Sequence, residues 1–387
     1  MAGRTQNQPV AIDARMLGRE ATGVATYARA LEAALRLAQA DLTRISDPSC
    51  SRPMGPATHP ERWLRWISAL VDRPRRLRRD GDALGAPDIF RLAQVHFDRH
   101  GTLLRLRSVE PAGIVFWTYP LPIRIEGWTN IYTVHDAIPL THPALSEIEP
   151  GRHRRLLDAL AASAQRLLTV SEAARADIIA ALGCGPDLIR SCPPGLAVAG
   201  VSGRPDGRFA PGGYLLFVGS IEPRKNLLRL VEAHRRSGVS MPLVLVGPNG
   251  WRSSDIVPLL EAAPRVVRLP YADRQAVVDL MAHARALLLP SIVEGFGLPI
   301  VEAMQLGTPV LTSRGGATQE VGGDAALLAD AESADDLAAQ IRRLATDDEL
   351  AARLRSLGRD RASAYTPQAF AARLKAIQDE FLTSPIR

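Results

Sequence analysis

Cysteine is scarce in this chain of 387 residues: Cys50, Cys184 and Cys192 are the only three, and none stand at CxxC spacing. That excludes a disulfide-stapled scaffold and a zinc ribbon, and thiols kept reduced in the cytosol are expected. Long apolar runs are missing, and nothing approaches the ~18 residues of a membrane-spanning helix. The opening MAGRTQNQPV is polar and lacks the apolar core of a secretory signal. Lysine occurs only at positions 225 and 375, so arginine supplies nearly all of the 47 basic residues. Against that background Lys225 is not a random charge. Aromatic residues make up 5%, and no basic segment is interleaved with them; zinc-finger spacing is absent too. Nucleic acid is therefore not an expected partner. The net charge of +6 is left to an anionic membrane surface or a phosphorylated substrate. Metal motifs are lacking as well. His96 and His100 stand four apart without the HExxH pattern, and Asp80-Gly81-Asp82 follows an arginine run instead of a strand. No metal is expected.

What is present is an α/β pattern. Apolar runs at 10–12, 113–117, 130–134 and 167–170 read as strands, as do 214–218, 243–246, 266–269, 285–289 and 310–312. Segments with helical spacing separate many of them. The expected fold class is α/β, with two Rossmann-like domains. Pro193 to Gly213 is rich in proline and glycine and marks the linker, giving domains at 1–195 and 196–366. The first strand leads through a turn holding Gly18 and Gly23 into a helix that Thr22 caps. Further on, Trp63, Trp66, Ile67 and Leu70 share one helical face, followed by Arg75, Arg76, Arg78 and Arg79. Such a stretch either lies in a membrane interface or packs on its own domain with an arginine edge in solvent.

The richest stretch is SIVEGFGLPIVEA, Ser291 to Ala303. A strand ends in the loop Glu294-Gly295-Phe296-Gly297, and Leu298-Pro299 open a helix that carries Glu302. Free N–H groups at such a helix start form an anion site. The flanking carboxylates accept hydrogen bonds from hydroxyls. A ligand both phosphorylated and polyhydroxylated, such as a nucleotide sugar, fits both halves. Arg224 and Lys225 stand beside another helix start, where the helix dipole repels cations, so an anion is expected to visit. His135 ends a strand, at the edge where ligands bind in this class. Asp136 either orients its imidazole or caps the next turn. Ser171 is expected as a helix N-cap, with contact to a ligand as the other role.

Glu294-x7-Glu302, within SIVEGFGLPIVEAMQLGTPVLTS, resembles the signature of retaining glycosyltransferases of family 4, which have the GT-B fold. The likeness extends to GGATQEVGGDAAL (315–327) and GSIEPRKN (219–226), so it covers most of the second half and the first half loosely. It implies two domains facing across a cleft, with a last helix (367–387) crossing back onto the first. It implies transfer of a hexose from a nucleoside diphosphate sugar with retention, without metal or other cofactor. Residue by residue, Gly23 approaches the donor phosphate, Ser220, Arg224 and Lys225 hold the diphosphate, and Leu269 meets the nucleobase. Glu302 binds the ribose, while Glu294 binds the sugar with the N–H groups of Phe296, Gly297 and Leu298. His135 faces the sugar from the first domain. GSIEPRKN and GPNGW look most like a subgroup using GDP-mannose in bacterial surface polysaccharide or lipopolysaccharide synthesis. The acceptor would be lipid-linked or a saccharide, with Trp63, Trp66 and the arginine run on its side. The expected location is cytoplasmic, peripheral on the inner face of the plasma membrane. An epimerase of the same fold and a non-catalytic nucleotide-sugar-binding partner subunit are the alternatives.

Overall fold

Parallel strands covered on both faces read as unbroken apolar runs, and Val10–Asp13 and Ile114–Trp117 are buried along their whole length. They belong to a computed structural model that describes residues 8–18, 22–38, 41–47, 67, 71–203 and 207–382. In the first half the strands are β1 (Val10–Asp13), β2 (Leu42–Ser46), β3 (Arg75–Arg76), β4 (Arg78–Asp80), β5 (Ala83–Gly85) and β6 (Leu104–Arg107). β7 (Ile114–Trp117), β8 (Ile123–Ile125), β9 (Thr129–Thr133), β10 (Arg166–Thr169) and β11 (Ile189–Ser191) complete them. Eight form one sheet in the order β11-β10-β9-β7-β1-β2-β5-β4, and β3-β6-β8 form a small second one. Side chains alternate across the large sheet. Val10, Ile12 and Phe116 enter one core, and Ala11, Val115 and Trp117 the other.

The second half contributes β12 (Leu215–Val218), β13 (Leu243–Val246), β14 (Val266–Leu269), β15 (Ala286–Leu289), β16 (Val310–Ser313) and β17 (Ala326–Ala329). All pair in parallel, in the order β14-β13-β12-β15-β16-β17. This is the doubly wound order, with its topological switch point between β12 and β15. In the first sheet the direction of winding changes between β1 and β7. Ligands of such sheets sit beyond the carboxyl ends of the strands at these points. The α/β fold expected from sequence is the one found.

The chain crosses between the halves twice, and the crossings touch. Leu196 N–H donates to Tyr365 C=O at 2.8 Å. Beyond Tyr365 the helix Pro367–Leu382 returns to the first half and packs on the helix Gly23–Leu37. Phe370, fully buried, meets Tyr27 with ring centroids 6.1 Å apart, and Glu380 pairs with Arg166 of β10 at 2.5 Å.

One expectation changes: Arg75, Arg76, Arg78 and Arg79 belong to two short strands, β3 and β4, in which Arg76, Arg78 and Arg79 are exposed. Between them Leu77 is 0% exposed, and Arg79 pairs with Glu110 at 2.8 Å. Trp63 and Trp66 lie outside the described residues. Asp80-Gly81-Asp82 makes the β4–β5 turn, with Gly81 at φ +57°.

Candidate active site

At the switch point of the second sheet, β12 runs into Gly219-Ser220, and Ser220 Oγ donates to Glu222 at 2.9 Å. A turn over Pro223–Lys225 follows, ended by Asn226 at φ +61°. Asn226 Nδ2 donates to Pro290 C=O at 3.0 Å and Ala331 C=O at 2.7 Å, and Ile292 N–H donates to Arg224 C=O at 2.8 Å. These bonds lay the turn over the loop that leaves β15. The result is a buried charge cluster. Glu294 accepts from Arg224 Nη1 and Lys225 Nζ, both at 2.5 Å, and from Ser291 Oγ at 2.8 Å; Glu222 takes Arg224 Nη2 at 2.7 Å. Burial alone would raise the pKa of Glu294. The charges of Lys225 and Arg224 outweigh it and hold the value at about 2. The two cations expected to hold a diphosphate are thus neutralised by the carboxylate expected to hold the sugar.

Gly297, at φ +101°, turns the loop into the helix Leu298–Leu306, whose start no side chain caps. Phe296 packs edge-on against Tyr365 at 5.6 Å. Glu302, one turn in and 5% exposed, is paired with the exposed Arg274 at 2.6 Å. Leu269 ends β14, and its carbonyl accepts from Gly247 N–H at 3.1 Å.

The first domain brings its own switch point opposite. His135 Nε2 lies 2.9 Å from Thr118 C=O. A carbonyl only accepts, so Nε2 carries the proton, and burial pushes the pKa of the ring down to about 4, leaving it neutral at pH 7. Tyr27 stands edge-on to the ring at 4.8 Å. Asp136 Oδ1 accepts from Ile138 N–H at 3.0 Å, so it caps the turn and does not orient the imidazole. Ser171 caps its helix through Ala174 N–H at 3.0 Å, and its hydroxyl also donates to Gly295 C=O across the cleft at 2.8 Å.

The halves meet closely here. A Cβ on Gly295 would lie 2.7 Å from His135 C=O, so only glycine permits the approach. A Cβ on Gly23 would lie 3.8 Å from Leu298. Glu320 reaches over to the start of the helix Glu172–Leu182 and accepts from the N–H groups of Glu172 and Ala173 at 2.8 and 2.7 Å. The structure thus gathers Gly23, His135, Asp136 and Ser171 against the Glu294–Leu298 loop. Ser291, Glu222, Arg274, Thr118, Tyr27, Asp13 and Glu320 were not singled out from sequence. Arg274, Thr118, Tyr27, Asp13 and Glu320 act by pairing with residues distant in the chain, which no local motif displays, whereas Ser291 and Glu222 pair within their own loops. Among the described residues no group of three or more His, Cys, Asp or Glu is placed to hold a metal.

Residues 206–361 match the family described as Glycosyl transferases group 1. The chain is 33% identical over 252 residues to an O-antigen chain mannosyltransferase B of Escherichia coli, covering 59% of this chain and 64% of that one. It is 28% identical over 291 residues to an MMP alpha-(1->4)-mannosyltransferase of Mycolicibacterium hassiacum, covering 73% and 64%. The alignments thus span less than two thirds of the length of either relative. Sucrose-phosphate synthase from Thermosynechococcus elongatus has a similar fold, with a TM-score of 0.69 at 19% identity, covering 98% of this chain and 100% of that one. The chain is thus arranged as two parallel-sheet domains in the GT-B fold, and its second domain carries the segment that matches the Glycosyl transferases group 1 family.

Proposed function

We propose that the protein transfers a hexose, mannose by preference, from a nucleoside diphosphate sugar to a saccharide acceptor, lipid-linked or free, in the assembly of a surface polysaccharide. One observation carries this. At the second switch point Arg224, Lys225 and an uncapped helix start surround the buried Glu294, directly across from a neutral His135. A diphosphate takes over the two cations and the helix N–H groups, and Glu294, released from them, accepts hydrogen bonds from the sugar hydroxyls. Glu302 and Arg274 receive the ribose. As the anomeric bond lengthens, negative charge grows on the diphosphate, where Arg224 and Lys225 stabilise it without a metal. His135 positions the sugar, and the closed cleft keeps water out. Two similar proteins are mannosyltransferases by name, which supports mannose, and the GSIEPRKN and GPNGW segments favour guanine as the base. No described helix is long and apolar enough to cross a membrane. Attachment to an anionic bilayer is carried by Trp63, Trp66 and the neighbouring arginines.

A thermal-shift screen against GDP, UDP, dTDP and ADP, with and without EDTA, tests the donor site. A rise in melting temperature with GDP, unchanged by EDTA, is expected. Loss of the shift with EDTA would overturn the metal-free site, and a shift confined to another nucleotide would overturn the guanine assignment. Sugar isomerised without any acceptor would identify an epimerase instead.

A further inference from the structure

We propose that Asp13 is a positioning residue for His135, acting through the backbone of Thr118; this rests on His135 being the group that faces the transferred sugar. Asp13 is the last residue of β1 and is 0% exposed. A carboxylate buried to that degree is costly unless it is hydrogen bonded. Its partner is well defined. The β1–β7 ladder ends at Ile12 and Phe116, so the N–H of Thr118 lies beyond it, and Asp13 Oδ2 accepts that N–H at 2.5 Å. The carbonyl of the same residue receives His135 Nε2–H at 2.9 Å.

The order is therefore carboxylate, Thr118 N–H, Thr118 C=O, imidazole, laid across the switch point of the first sheet. Arg15, two residues after Asp13, lies over the ring of Tyr119 at 5.6 Å and over that of Phe90 at 5.7 Å. Thr118 is thus anchored by Asp13, and the next residue is weighted by Arg15. On the far side Tyr27 closes on the imidazole, its own hydroxyl 3.0 Å from Thr133 Oγ1. A ring held edge-on by Tyr27 and through one nitrogen by a fixed carbonyl has one orientation and one tautomer. Asp13 sets both while touching neither sugar nor phosphate. Without it the Thr118 carbonyl is free to swing, and the ring follows.

The test is a double-mutant cycle with a direct view of the ring. Asp13→Ala removes the acceptor. Asp13→Val, which fills a similar volume, replaces it if the alanine protein does not fold. Asp13→Asn keeps an oxygen for the Thr118 N–H. Transfer is measured from GDP-mannose to a mannosyl oligosaccharide. The imidazole nitrogens are read by long-range proton–nitrogen correlation on histidine-labelled protein, with His135→Gln assigning the signals. Asp13→Ala or Asp13→Val is expected to lower kcat by about tenfold or more, with the donor KM within about twofold. The His135 signals should change from one Nε2–H tautomer to a mixture, and Asp13→Asn should restore both readouts. In the His135→Gln background the Asp13 substitution should have no further effect on kcat. A single unchanged tautomer in Asp13→Val, or additive losses in the double variant, would overturn the proposal. Wild-type transfer by His135→Gln would instead overturn the role of His135, and the nitrogen spectra report on Asp13 even when GDP-mannose is not turned over.

Discussion

Replacing Glu294 by glutamine separates what holds the site together from what the site does. In the wild type one carboxylate neutralises Arg224 and Lys225 inside the protein. Its pKa falls from 4.5 to about 2, equivalent to about 3 kcal/mol, within the range of roughly 3–5 kcal/mol for breaking a buried pair. For a domain of this size about 3 kcal/mol lowers Tm by about 6–12 °C. The sign follows from linkage. A carboxyl group whose folded pKa is depressed stabilises fully above its unfolded value and loses that contribution as pH falls through the folded one. Wild-type Tm should therefore decline between about pH 4.5 and about pH 2, and Glu294→Gln should lack that part of the decline. The nucleotide response should run the other way. With Glu294 neutral, the two cations gain more from a diphosphate, so the thermal shift produced by GDP should be larger in the variant although sugar transfer collapses. Differential scanning fluorimetry with and without GDP, beside a transfer assay, gives all three readings. An unchanged Tm at pH 7, or a smaller GDP shift than in the wild type, would refute the account of the cluster.

Gly295→Ala puts a methyl group 2.7 Å from the His135 carbonyl and must part the domains; transfer should fall at least about tenfold while the GDP-induced thermal shift persists. Loss of both together would show a collapsed loop instead of an opened cleft. Glu320→Ala uncaps two N–H groups of the helix Glu172–Leu182, a loss of about 1 kcal/mol, and should increase the radius of gyration by small-angle scattering in the absence of nucleotide. Identical scattering curves would mean that Glu320 does not help to close the cleft.

Much of this was legible because α/β proteins write their strands as short apolar runs. Leu243–Val246 and Ala286–Leu289 are found where expected, since both faces of a parallel strand are buried. The arginine strands β3 and β4 were not, because edge strands half open to solvent carry no apolar signature. Glu294, Glu302, Arg224, Lys225 and His135 were marked by position, at strand ends or helix starts. Their pairings were not. Sequence placed Arg224 and Lys225 with a phosphate, and the structure pairs both with Glu294, about seventy positions away in the chain. Asp13 escaped notice because a single acid after a strand is ordinary. Only the neighbouring strand shows what it holds.

The returning helix Pro367–Leu382 also constrains how the protein is made. Phe370 completes the packing around Tyr27, and Tyr27 steadies the His135 ring. During synthesis the first domain leaves the ribosome long before that helix exists. It must wait with an open apolar groove while the whole second domain is translated. Order around His135 is therefore a late event, reached only once the helix has docked. Nascent chains stalled within the second domain should bind nucleotide poorly and recruit chaperones through the uncovered surface beside Tyr27.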